Sequence, residues 1–288
     1  MDVATAASFF DDQPILDAYS SAVLAYGQPD LYDSAERDSN TGFRRSVSVT
    51  PGTAQPARGC IKFESDNYVV GRKVHDFFQG SAVREHWVIH PSDGLMEAAT
   101  SAVFLAAGTP SSLHGALSWI KDKKEELRTS DMSPAYDFYC HTSESLSPGM
   151  IVKTPGGIYH RLASAGSRSG GLLVAVAYQL GSTAKRTISY TAAGTTYDPA
   201  TGAYAAGTPA NIPAFVESPQ TNYLYLNNAA EKFERSDMVV TVLKTAVATP
   251  KSTDRLTDTS GPEGALVYRV VDHQSDGALA WALHVRPV

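Results

Sequence analysis

The chain has only two cysteines in 288 residues, Cys60 and Cys140, so a disulfide framework and a Cys-x-x-Cys metal pair are both excluded, and two free thiols in a reducing compartment are expected. It is also short of cations: 24 Lys and Arg stand against 30 Asp and Glu, a formal charge of -6. That balance excludes an autonomous duplex-DNA binder, which needs clustered basic side chains to displace counterions. Long apolar runs are missing too. The opening stretch MDVATAASFFDDQP holds Asp2, Asp11 and Asp12 and no basic residue, unlike a secretory signal, and its apolar part is far too short to span a bilayer. No membrane partner is expected.

The signatures of catalysis are absent as well. There is no Gly-x-Ser-x-Gly elbow, and Ser167 and Ser169 in GSRSGG read as a hairpin tip between strands. The same glycines lack Gly-x-Gly-x-x-Gly spacing and open a strand, where a phosphate cradle would open a helix. Cys140 and His141 are adjacent, and neighbours on a chain point apart more often than together, so a structural use is expected. The acid pairs Glu125-Glu126 and Asp11-Asp12 suit a solvated helix face and a helix start. His86 and His90 share one face of an expected strand, with His75 and Asp76 a strand earlier. Zinc needs three or four converging ligands, so these are read as sheet histidines. No catalytic residue, cofactor or metal ligand is assigned, and the chain is expected not to be an enzyme.

What is present is a foldable, turn-rich composition: 43% hydrophobic residues, 14 Tyr, 22 Gly and 16 Pro, enough apolar surface to offset chain entropy. The pattern predicts a mainly β protein with a helical insertion (α+β) in two domains. The amino-terminal β domain covers 1–180. It has a leading helix over 12–27, where Ile15, Leu16, Tyr19, Val23 and Tyr26 recur at helical spacing. It also has a helical insertion over about 92–128, made of an apolar helix at 95–107 and an amphipathic one from 111 to 127. Alternating or β-branched runs at 43–50, 59–63, 67–74, 82–90, 150–153, 157–162 and 172–180 read as strands. After a short linker, 185–288 is expected to form a small β-barrel or sandwich. Its Asp198-Pro199 and Thr201-Gly202 turn signals place a protruding arm at about 194–208.

Two segments resemble each other: GGIYHRLASAGSRSGGLLVAVAYQL (156–180) and GALVYRVVDHQSDGALAWALHVR (264–286). Both read as hairpins. Tyr159 and Arg161 correspond to Tyr268 and Arg269 with an offset of one, and Gly171 and Leu173 to Gly277 and Leu279, which suggests tandem related β domains.

An ordered set of features in the last third carries a family likeness: the strand TISYT, the arm TTYDPATGAYAAGT, the line PAFVES, the segment ERSDMVVTVL and the closing hairpin LVYRVVDHQSDGALAWALHVR. In order and spacing, 185–288 resembles the small β-barrel head-to-tail adaptor, stopper or head-completion proteins of the tailed-bacteriophage neck. The segment SPGMIVKTPGGIYHRLASAGSRSGGLLVAVAYQL also has the character of a virion protein strand pair. Those neck proteins are usually a single small domain, so the additional 180 residues depart from the pattern.

The resemblance implies a structural virion protein of the neck, made in the host cytoplasm. It would assemble as a ring of six- or twelve-fold symmetry between the portal protein and the tail or other neck proteins, and DNA would pass through its channel without sequence-specific binding. The residues assigned to contacts are Tyr197, Asp198, Pro199, Gly202 and Tyr204 on the arm, and Trp119, Lys123, Lys124 and Leu127 on the amphipathic helix. A tail, tail-tip or decoration protein is the alternative. A virion hydrolase comes last, because no converging acid pair or nucleophile motif is present, although glycosidase carboxylates leave no spacing signature.

Overall fold

The computed structural model describes residues 13–30, 45–78, 81–119, 135–164, 167–169, 171–200, 203–222, 224–225, 233–234, 236–260 and 265–288. These residues are mainly β. The first six strands, β1 (Gln13–Asp17), β2 (Val23–Asp30), β3 (Arg45–Val49), β4 (Cys60–Phe63), β5 (Asp66–Phe78) and β6 (Ser81–Pro91), close into a barrel in the order β1-β2-β3-β6-β5-β4. A second set follows: β7 (Gly94–Ala99), α1 (Ser101–Leu105), β8 (Ser111–Trp119), β9 (Ala135–His141), β10 (Ile151–Lys153), β11 (Tyr159–Leu162), β12 (Ser167–Ser169) and β13 (Leu172–Gly181). Its order is β11-β10-β7-β8-β9-β13, and β11 also pairs with β13, so this sheet returns on itself, with β12 attached to β13. The third set is β14 (Lys185–Thr191), β17 (Ala210–Glu217), β18 (Met238–Leu243), β19 (Arg255–Asp258), β20 (Leu266–Asp276) and β21 (Ala280–Pro287). It closes as β14-β17-β18-β21-β20-β19, while β15 (Ala193–Asp198) and β16 (Ala203–Ala206) form a separate ribbon.

Counting each barrel's wall strands from first to sixth in chain order, all three close in the same order, one-two-three-six-five-four. Their register matches as well. First against second strand, Ile15 faces Ala25, Met96 faces Leu113 and Ile188 faces Ile212. Second against third, the pairs are Pro29 with Val47, Leu117 with Phe138 and Val216 with Val240. Third against sixth, they are Val47 with Trp87, Phe138 with Ala175 and Val240 with Leu283. Fifth against sixth, they are Val70 with Ile89, Leu162 with Ala177 and Val270 with Val285. Fourth against fifth, they are Ile61 with Tyr68, Val152 with His160 and Leu256 with Tyr268. First against fourth, they are Asp17 with Ile61, Ala98 with Val152 and Tyr190 with Leu256. A one-residue slip would turn a strand's apolar face outward, so the same stagger must put equivalent positions inside. Ile15, Met96 and Ile188 are all buried, as are Val47, Phe138 and Val240, and Trp87, Ala175 and Leu283. Three separate barrel cores result.

The expected helices give way to strands. Residues 13–30 form the β1–β2 hairpin, because Asp17 caps a tight turn: its Oδ1 accepts the backbone N–H of Tyr19 and of Ser20 at 3.0 and 2.7 Å, and Ser21 takes φ 59°. Helical spacing across that turn is a coincidence of two strand faces. In the expected insertion, 94–99 is β7, only α1 is helical among the described residues, and 111–119 is β8. Here Leu113 and Ala116 sit on opposite faces, one in the second core and one against the first barrel. A Cβ on Gly115 would stand 2.8 Å from the Phe138 ring and from the Tyr139 carbonyl oxygen, so only glycine lets β8 lie this close to β9.

At the core position held by Tyr68 and Tyr268, the second barrel places His160, which is also buried. Burial pushes its imidazole down to about 4, against a hydrogen bond with the Ile158 backbone. The unfolded chain takes up this proton below its ordinary value near 6.5 and the folded state refuses it. Stability is therefore complete above about pH 6.5 and falls by roughly 3 kcal/mol as pH drops to 4. His160→Tyr, copying the other barrels, should flatten thermal stability across that window; an unchanged slope would show that another group titrates.

Candidate interfaces: the arm and the barrel junctions

The arm leaves the third barrel between its first and second strands. β15 pairs with β16 antiparallel, with Tyr197 opposite Tyr204 and Asp198 opposite Ala203. Pro199 lies exposed in the turn, and Gly202 lies outside the described residues. The base of the arm is pinned: Gly207 N–H donates to the Ala192 carbonyl at 2.9 Å. Ala193 N–H donates to Asp254 Oδ1 at 2.8 Å, and the other oxygen of that carboxylate accepts the Tyr190 hydroxyl. Of the second expected contact, Trp119 ends β8 opposite Tyr136, in a strand and not a helix. Lys123, Lys124 and Leu127 lie outside the described residues.

Two junctions that were not anticipated from the sequence join the barrels. At the first, Cys60 and Val69 of the first barrel pack with Ala116, Tyr139 and Leu172 of the second. Arg58 lies 4.0 Å over the Tyr19 ring, and its Nη2 meets Glu144 Oε1 at 2.8 Å. Gly171 brings its turn against the backbone of Gly71 and Arg72. At the second junction, Phe104 of α1, Ile151 and Tyr159 pack on Phe215 of β17. There the fully buried Arg161 meets Glu217 through two contacts, Nη2 to Oε1 at 2.6 Å and Nε to Oε2 at 2.9 Å. Glu217 also accepts Asn222 Nδ2 at 2.9 Å and Thr221 Oγ1 at 3.3 Å, and Arg161 Nη1 donates to the Gly149 carbonyl at 3.1 Å. The charges are thus taken out of water with their hydrogen-bonding capacity largely used.

The remaining titratable clusters read as structural. Both cysteines are free and buried, and burial pushes the Cys60 thiol up to about 12 and Cys140 higher still, so neither presents a thiolate at neutral pH. His284 Nε2 lies 2.7 Å from Asp237 Oδ2. Burial alone would raise that carboxyl, but hydrogen bonds from Arg286, the Glu234 N–H and His284 hold it at about 2. The imidazole is packed against the rings of Phe233 and Tyr225, a brace of the third barrel's wall. His86 and His90 do share the outer face of β6, but His86 meets Ser48 while His90 stands edge-on to Tyr139. Among the described residues, no group of three or more His, Cys, Asp or Glu is placed to hold a metal ion.

Among the described residues, the fold and its interfaces define a tandem-barrel protein with a separate two-stranded β-ribbon. No protein-family model, no curated protein and no solved structure matches the chain.

Proposed function

We propose that this chain is a structural protein of a tailed-phage virion, acting in the neck as a ring that joins the portal to the tail and completes the DNA conduit. The observation that carries the reading is the arm. β15 and β16 pair with each other apart from the barrel sheets, and a two-stranded ribbon is marginal alone in water. Such a ribbon gains order by docking on another surface. The closed barrels complement it, since closure removes the open sheet edges that would cause indiscriminate pairing. The acidic balance suits a wall past which DNA slides. No reaction, cofactor or metal is required. The partners are further copies in a six- or twelve-fold ring, the portal, tail or other neck proteins, and DNA in transit.

Deleting residues 195–207 tests the arm. The truncated chain should keep its thermal transition, because the ribbon contributes nothing to the barrel wall, and should lose docking to DNA-filled, portal-bearing capsids that lack this protein. Docking equal to that of the full chain would refute the role given to the arm.

A further inference from the structure

The two junctions within the chain are the same junction used twice. At the first, the covered surface is the cross-strand pair Cys60 and Val69, on the fourth and fifth strands of the first barrel. At the second it is Ile151 and Arg161, the equivalent pair of the second barrel. All four side chains are buried. The receiving surfaces correspond too. Ala116 opposite Tyr139 receives the first barrel, and Phe215 opposite Thr241, at the same register on the second and third strands, receives the second. Each of the first two barrels therefore presents its fourth and fifth strands to the second and third strands of the barrel that follows.

In the third barrel the equivalent pair is Arg255 and Arg269, directly opposite each other and both exposed. Beside it Val267 and Val271 are each 37% exposed, and Val267 stands where Tyr159 packs in the second junction. Two arginines facing each other across a ladder repel, an arrangement that suits a surface awaiting carboxylates. The matching receiving register on the first barrel is Gln28 opposite Ser48, and Asp30 occupies on β2 the position that Glu217 occupies on β17.

We propose that the third barrel of one chain docks on the first barrel of a second copy, repeating the internal junction, with Arg269 and Asp30 as the counterparts of Arg161 and Glu217. The contact is heterologous, so successive chains extend head to tail and close into a ring if the rotation per chain allows. It gives the ring of the proposed function its contact, and to that extent deepens that reading. It is measured in solution without portal, so a failure here and a failure of portal docking remain distinct results.

The test uses the full chain in two single variants, Arg269→Cys and Asp30→Cys, mixed under mild oxidation. A disulfide-linked dimer should form in the mixture and not with either variant alone, and not when Leu279→Cys replaces Arg269→Cys. For the charges, Arg269→Glu and Asp30→Arg should each weaken self-association in sedimentation about thirtyfold or more. The double variant should recover it, with circular dichroism showing every variant folded. A mixture that cross-links no better than the Leu279→Cys control would overturn the proposal, whatever other contacts the chain makes.

Discussion

Arg161→Ala is expected to cost about 3–5 kcal/mol, because it strands the buried Glu217 carboxylate at the junction of the second and third barrels. The loss should appear as a lowered thermal transition and as new proteolytic cleavage near the turn at 182–184, where the two barrels connect. Replacing both charges with apolar residues, Arg161→Met with Glu217→Met, should recover most of it, since a buried pair replaced by packed hydrophobic groups is often neutral or better. The double-mutant cycle then separates the pair's coupling from the penalty for the stranded charge. A loss below about 1 kcal/mol for Arg161→Ala would mean that water reaches Glu217 and that the junction opens in solution.

Gly171→Ala is the second large effect. Gly171 takes φ +85°, and a Cβ there would fall 2.6 Å from Arg72 N and from Gly71 C, backbone atoms that cannot move aside alone. The substitution should cost roughly 3 kcal/mol or more, from left-handed strain together with overpacking at the first junction. Gly277 supplies the control. It sits in the corresponding hairpin turn of the third barrel at φ +69°, with nothing within 4 Å of its Cβ position, so Gly277→Ala should cost only the strain, about 1–2 kcal/mol. Equal losses from the two substitutions, measured by chemical denaturation, would argue that the first and second barrels do not approach at Gly171.

The β character of the last third was legible because β-branched runs around Ile188, Val240, Val242, Val270 and Val285 lie between turn residues, whereas the sequence leaves a barrel and a sandwich both open and closure is shown only by the pairing. The likeness of 156–180 to 264–286 was also legible, and its cause is now plain. The two segments are the fifth-to-sixth-strand hairpins of consecutive barrels, and Arg161 and Arg269 fall at one register position. The first barrel escaped notice because equivalent core positions do not keep residue identity: Trp87, Ala175 and Leu283 share one position. Its signal was sparse, chiefly Tyr68 opposite Pro91 and Tyr268 opposite Pro287.

The connections hid the repeat further. Between first and second strands the chain makes a short turn in the first barrel, carries α1 in the second and carries the arm in the third. The false helices came from the same source, since apolar residues of adjacent strands and their turn, such as Ile15 on β1, Tyr19 in the turn and Val23 on β2, mimic a helical stripe when the turn is not recognised. The junctions were invisible in the sequence because Val69 and Arg161 acquire their common role only through register.

The proposed function is tested most directly by electron microscopy, with image averaging, of the purified protein mixed with portal-bearing, DNA-filled capsids that lack it. A coaxial ring at the portal vertex is the predicted result, and its symmetry would follow at once. Density elsewhere on the particle, or a bare vertex, would contradict the neck reading and turn attention to the tail or the capsid surface.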